Sequence, residues 1–96
     1  LAALSRAVAG QPIGLVIEND QTASAGTLPA LQAFLAEARQ LGLDLGLTFD
    51  MGNWHWTGEC PLQAGAALAS QVAYVHCKGV QRQPQTGRKR DAWELA

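Results

Sequence analysis

Three short apolar runs, each closing on a side chain able to bind a metal ion, constrain this chain more than any other feature. Ile13–Ile17 runs into Glu18, Leu45–Phe49 into Asp50, and Val72–Val75 into His76. The runs are too short for buried helices, contain β-branched residues, and the first follows Gly10-Gln11-Pro12. These features predict buried parallel strands over 13–18, 45–50 and 72–77.

The segments between them follow a helical period. Thr27 is a candidate N-cap and Pro29 fits the first turn. Leu28, Leu31, Phe34, Leu35, Ala38 and Leu41 then recur on one face until Gly42. Residues 61–70 are Ala-rich and follow Pro61, which predicts another helix, and 1–9 place apolar residues at 1, 4 and 8 before Gly10. From Gly79 onward the chain reads as polar and irregular, with Arg88-Lys89-Arg90 as a solvated loop.

Helix and strand therefore alternate, the mark of an α/β fold with a parallel sheet. Gly14-Leu15-Val16-Ile17-Glu18 resembles Gly46-Leu47-Thr48-Phe49-Asp50 at an offset of 32 (18 to 50), and His76 follows after 26 (50 to 76). Such offsets match one β/α unit of a (β/α)8 TIM barrel, which needs eight strands to close. Residues 1–96 are thus expected to be a fragment of one barrel domain, with about three parallel β/α units. Charged residues make up only 16% against 48% hydrophobic, which predicts that part of the surface is covered by further protein.

Side chains alternate along a strand, so the faces follow from parity. If Glu18 points into the barrel, so do Val16 and Gly14, while Leu15 and Ile17 meet the helices. If Asp50 points inward, so do Thr48 and Gly46, while Leu47 and Phe49 meet the helices. His76 inward brings Tyr74 and Lys78 with it. Active sites of parallel barrels lie at the C-terminal rim. Two carboxylates and an imidazole there would suit Mn²⁺, Mg²⁺, Co²⁺ or Zn²⁺.

The strings LVIENDQT, LTFDMGNWHWTGECP and YVHCKGV resemble the xylose-isomerase-like sugar phosphate isomerase/epimerase superfamily over about residues 13–80. The resemblance implies a TIM barrel that binds one divalent metal through strand-end residues in the order Glu, Asp, His, Glu. Glu18, Asp50 and His76 match the first three. The fourth has no match, because Glu94 in DAWELA follows no apolar strand. The implied chemistry is proton transfer beside a sugar carbonyl through an enediolate. The metal polarises the carbonyl and hydroxyl oxygens, and Glu18 acts as one acid/base.

Further residues fall near this rim. Lys78 either neutralises a substrate carboxylate, phosphate or enediolate oxygen or is a solvated lysine. Asn53, where many relatives carry His, is suited to orient a substrate hydroxyl. Trp54 and Trp56 are read as an aromatic wall against the apolar face of a sugar or as loop packing. His55 is expected to be exposed, and Asn19 and Asp20 to orient Glu18.

The net charge of −1 gives no bulk argument for nucleic acid or membrane binding. No apolar run reaches the roughly 18 residues of a membrane span, and no signal peptide is visible. Cys60 and Cys77 read as free thiols of a reducing cytoplasm. The expected partner is a small sugar, sugar acid or sugar phosphate, with a homo-oligomer possible. A keto-polyol dehydratase or lyase fits the same metal residues, as does a non-catalytic barrel relative. A three-zinc DNA-repair endonuclease would need more histidines than His55 and His76.

Overall fold

The computed structural model describes residues 1–83 and 92–96. Arg88, Lys89 and Arg90 lie outside them. Three α-helices are present among the described residues: α1 (Ala2–Val8), α2 (Leu28–Gln40) and α3 (Pro61–Leu68). They alternate with β1 (Leu15–Glu18), β2 (Leu45–Asp50) and β3 (Val72–His76), which form one parallel sheet in the order β1-β2-β3. No helix among the described residues is long and apolar enough to cross a membrane. The fold is mixed α/β, as the alternating pattern predicts.

Helix α2 begins where Thr27 caps it: the Thr27 hydroxyl accepts from the Ala30 amide at 3.3 Å. A second oxygen joins from another element, because Glu59 Oε1 accepts from the Leu28 amide at 3.3 Å. Pro29 costs nothing in this first turn, where its nitrogen needs no partner. The helix presents Leu31, Leu35 and Ala38 inward, and α3 presents Ala64 and Leu68. With Leu47 and Trp54 these form the core, flanked by Ile17, Leu45, Phe49 and Val72. Each fully buried leucine contributes roughly 1.5–3 kcal/mol by leaving water. All of this packing lies on one face of the sheet.

The other face is open. Val16 is 52% exposed and Tyr74 65%. Both belong to the set that parity placed with the candidate ligands. In register, Glu18 stands opposite Thr48 and Asp50 opposite His76.

Strand β3 reaches this arrangement through an irregularity. Leu47 pairs with Val72, but Thr48 pairs with Tyr74, so Ala73 is an extra residue. Val72 packs against the core, whereas Tyr74 and His76 stand beside Thr48 and Asp50 on the open face. The bulge is what changes the side of the strand on which the even-numbered residues emerge. Gly46 makes room for it: a Cβ at that position would come within 2.9 Å of Ala73 Cβ.

The C-terminal stretch differs from its sequence reading. β4 (Val80–Gln83) and β5 (Ala92–Leu95) form an antiparallel pair. β4 is polar after Val80, and Glu94 separates Trp93 from Leu95 in β5, so the pair lacks the continuous apolar run of a buried strand. Trp93 instead stacks on His55, with ring centroids 4.3 Å apart, and carries Arg82 over its ring at 5.5 Å. His55 is accordingly half-buried rather than exposed. Glu94 lies in β5 and accepts from Gln81 Nε2 at 3.0 Å.

Candidate metal centre

The sheet brings the three strand-end residues together. His76 Nδ1 lies 3.0 Å from Glu18 Oε1 and 3.0 Å from Asp50 Oδ2. One ligand atom from each of the three residues falls within 4.8 Å of the others. Ligands about 2.1 Å from a common cation stand roughly 3 Å apart when adjacent in an octahedron, so the two histidine–carboxylate spacings fit such an ion. The donor set, two carboxylate oxygens and an imidazole nitrogen, suits a hard or borderline divalent cation.

The carboxylates sit in contrasting surroundings. Asp50 has a side chain only 1% exposed, against 43% for Glu18. Asp50 Oδ1 accepts from the backbone amides of Gly52 and Asn53, each at 2.9 Å. That leaves Oδ2 facing His76 and the Lys78 ammonium, which is 3.3 Å away. Burial works against the charged form of Asp50. The Asn53 and Gly52 amides, then Lys78, outweigh it and hold the carboxyl below its ordinary range.

Asn19 fixes the strand beneath Asp50. It is fully buried; its Oδ1 accepts from the Asp50 amide at 2.8 Å and its Nδ2 donates to the Asp50 carbonyl at 3.0 Å. β1 ends at Glu18, and the Asn19 carboxamide takes the place of the next backbone rung. Asn19 thus orients Asp50 rather than its neighbour Glu18. Asp20 turns away to its own loop, accepting from the Thr22 amide at 2.7 Å and the Thr22 hydroxyl at 2.6 Å. Those two bonds, side chain first, hold its carboxyl low as well. Gly26 closes this loop where any Cβ would strike the Asp20 carbonyl.

The remaining candidates separate. Asn53 Nδ2 donates to the Asn19 carbonyl at 2.7 Å, and its Oδ1 accepts from Lys78 Nζ at 2.6 Å and Gln21 Nε2 at 3.2 Å. Both groups of Asn53 are therefore engaged by protein, so its side chain helps set the site's shape. Gln21 had no distinguishing mark in the sequence beyond its place in the polar loop after Glu18. Lys78 joins the site, 19% exposed, with its ammonium 5.6 Å from the Trp56 ring centre. Trp56 thus flanks the charged part of the site.

Of its two sequence readings, Trp54 takes the packing role and not that of an aromatic wall. It is fully buried against Phe49, ring centroids 5.4 Å apart, and presents no surface to a ligand. The short 3-10 turn Asn53–His55 sends Trp54 into the core and leaves Trp56 half-buried outside it. The Trp54 indole N–H is the one buried side-chain polar atom without a partner among the described residues.

Glu18, Gln21, Asp50, Asn53, His76 and Lys78 line a common cavity of about 440 Å³. Glu94 lies outside that lining, in the antiparallel pair. Cys60 and Cys77 are free and exposed and take no part. No protein-family model matches this sequence, and no curated protein is significantly similar to it.

Proposed function

We propose that Glu18, Asp50 and His76 bind one divalent metal ion in a sugar or sugar-phosphate isomerase/epimerase of the xylose-isomerase-like kind. On this reading the three β/α units belong to a TIM barrel, whose remaining strands cover the open sheet face. The observation that carries the proposal is the meeting of three ligand atoms from three successive strand ends within 4.8 Å. The motif resemblance around each of these residues supports the same reading.

A bound Mn²⁺, Mg²⁺, Co²⁺ or Zn²⁺ would supply Lewis acidity toward carbonyl and hydroxyl oxygens of the substrate. The protein's own groups then divide the work. Asp50 has one oxygen tied to two amides and serves as a fixed ligand. Glu18 is the more accessible carboxylate and lines the cavity. It is the group placed to take a proton from the carbon beside a carbonyl and return it. Lys78 offers positive charge to a carboxylate, phosphate or enediolate oxygen. Trp56 stands beside it as the apolar flank.

Mn²⁺ titration followed by electron paramagnetic resonance tests the metal assignment. Wild type should bind one ion, and Asp50→Ala should lose it; equal binding by Asp50→Ala would reject the assignment. Exchange of carbon-bound substrate hydrogen with solvent deuterium tests the chemistry in the polypeptide with a complete barrel. Glu18→Gln should keep most of the metal and lose about two to four orders of magnitude of exchange. Full exchange in that variant would remove Glu18 from the proton-transfer step.

A further inference from the structure

Lys78 and His76 both face a single oxygen, Asp50 Oδ2, and that sharing has consequences for what the cavity binds. Asp50 Oδ1 is occupied by two amides, so Oδ2 alone is left for any cation. Lys78 Nζ already lies 3.3 Å from this atom. The lysine is held there from two sides. Asn53 Oδ1 accepts from its ammonium at 2.6 Å. Its stem lies over Gly52, where a Cβ would come within 2.8 Å of Lys78 Cγ and 3.0 Å of Cε. A divalent cation on Oδ2 would therefore have a fixed ammonium as its neighbour.

We infer that Lys78 weakens cation binding when the cavity holds no anion, and that a small oxyanion relieves this, so that metal and anion bind as a coupled pair. The inference rests on the metal reading given above and deepens it: the carboxylate or phosphate of a polyol ligand sets how tightly the metal is held. With His76 neutral, Glu18 and Asp50 contribute two negative charges. Lys78 contributes one positive charge and the divalent cation two. The sum over these four is one positive charge around Asp50 Oδ2, although the Asp20 carboxylate brings the lining of the cavity of about 440 Å³ to zero as a whole. Asp20 also borders the cavity, but its carboxylate is directed to the Thr22 amide and hydroxyl. An ammonium has three donors, and two of those on Lys78 are directed to Asn53 and Asp50. The third is available to an oxyanion, which would stand between ammonium and metal and turn their repulsion into attraction toward a common partner. Coupling between two ligands is reciprocal, so the anion must raise metal affinity by the factor by which the metal raises anion affinity.

Mn²⁺ affinity of the whole chain, measured by paramagnetic resonance, tests this with three probes: glycerol 3-phosphate, glycerate and uncharged glycerol. In wild type both anions should tighten Mn²⁺ binding by about 5- to 20-fold, within the usual span of such coupling, and glycerol should leave it unchanged. Lys78→Met should bind Mn²⁺ alone about 5- to 20-fold more tightly, with the anion effect reduced by the same factor. Lys78→Gln, neutral but polar, should repeat this result if the methionine variant folds poorly. Lys78→Arg should behave as wild type. Mn²⁺ affinity in both neutral variants equal to or weaker than wild type would overturn the inference while leaving the metal site standing, as would an undiminished anion effect. A wild-type chain that bound no Mn²⁺ would reject both.

Discussion

On the helix-covered face of the parallel sheet, Leu47 is fully buried among Leu31, Leu35, Ala64 and Leu68, whereas on the opposite face Val16 and Tyr74 are more than half exposed. The covered face is held by apolar area. The open face is organised by directed polar contacts: the Asn19 carboxamide on the Asp50 backbone, two amides on Asp50 Oδ1, and Asn53 on Lys78. The sheet thus separates the groups that stabilise it from the groups able to do chemistry. A change on one face should register as stability, and on the other mainly as binding.

The largest expected effect is on the covered face. Leu47→Ala should cost about 2–5 kcal/mol by deleting fully buried atoms and leaving a cavity. Val16→Ala, one strand away on the open face, should stay within about 0.5 kcal/mol. Chemical denaturation of both variants compares them directly, and equal losses would mean that the open face is packed in solution.

Asn19→Ala should cross the division. It leaves the buried amide and carbonyl of Asp50 without their partners, at about 1–3 kcal/mol. It should also weaken Mn²⁺ binding by about 10- to 100-fold, the usual effect of removing a group that orients a ligand. Normal stability and normal metal affinity together would show that the carboxamide does not fix Asp50.

A smaller contrast is available between two glycines. Gly46→Ala should lose about 1–2 kcal/mol, because the new methyl meets Ala73 Cβ at 2.9 Å. Gly65→Ala lies inside α3 with only Phe49 Cζ nearby, at 3.7 Å, and should gain about 0.5–1 kcal/mol through helix propensity. Thermal melts of the pair should move in opposite directions.

The smallest effect concerns acid. Asp50 has its folded-state value lowered from an ordinary 3.8, so in the window below 3.8 the unfolded chain binds more protons than the folded one. Its contribution to stability is complete above that pH and is lost as pH falls through the lowered folded value. Metal-free melts should show wild type losing stability on acidification below about pH 4, with a shallower slope in Asp50→Asn. Identical slopes would place the acid sensitivity elsewhere.

Much of this arrangement was legible in the sequence because its information is local. Each parallel strand is one apolar run ending in a polar residue, and parity alone separated Leu15 and Ile17 from Val16 and Glu18. What was not legible depends on distant partners. Nothing near Asn19 indicates that its carboxamide pairs with a backbone 31 residues away. Trp54 and Trp56 look equivalent in sequence, and only the 3-10 turn between them decides which enters the core. β4 and β5 were missed because a pair of short, mostly polar strands lacks the apolar run that marks a buried one.

The extra residue at Ala73 makes the length of β3 matter more than its composition. Removing Ala73 itself would take out the bulge and leave Tyr74 opposite Thr48 and His76 opposite Asp50, whereas inserting one residue between Tyr74 and Val75 would rotate everything downstream by one position. After such an insertion Val75 would stand opposite Asp50, and His76 would turn toward the helices. Val72→Ile, a bulkier replacement that leaves the count unchanged, would keep His76 where it is. A one-residue insertion after Tyr74 should therefore abolish metal binding, while deletion of Ala73 and conservative substitutions in the strand should keep it. For this segment, the spacing between residues is under stricter control than their identity.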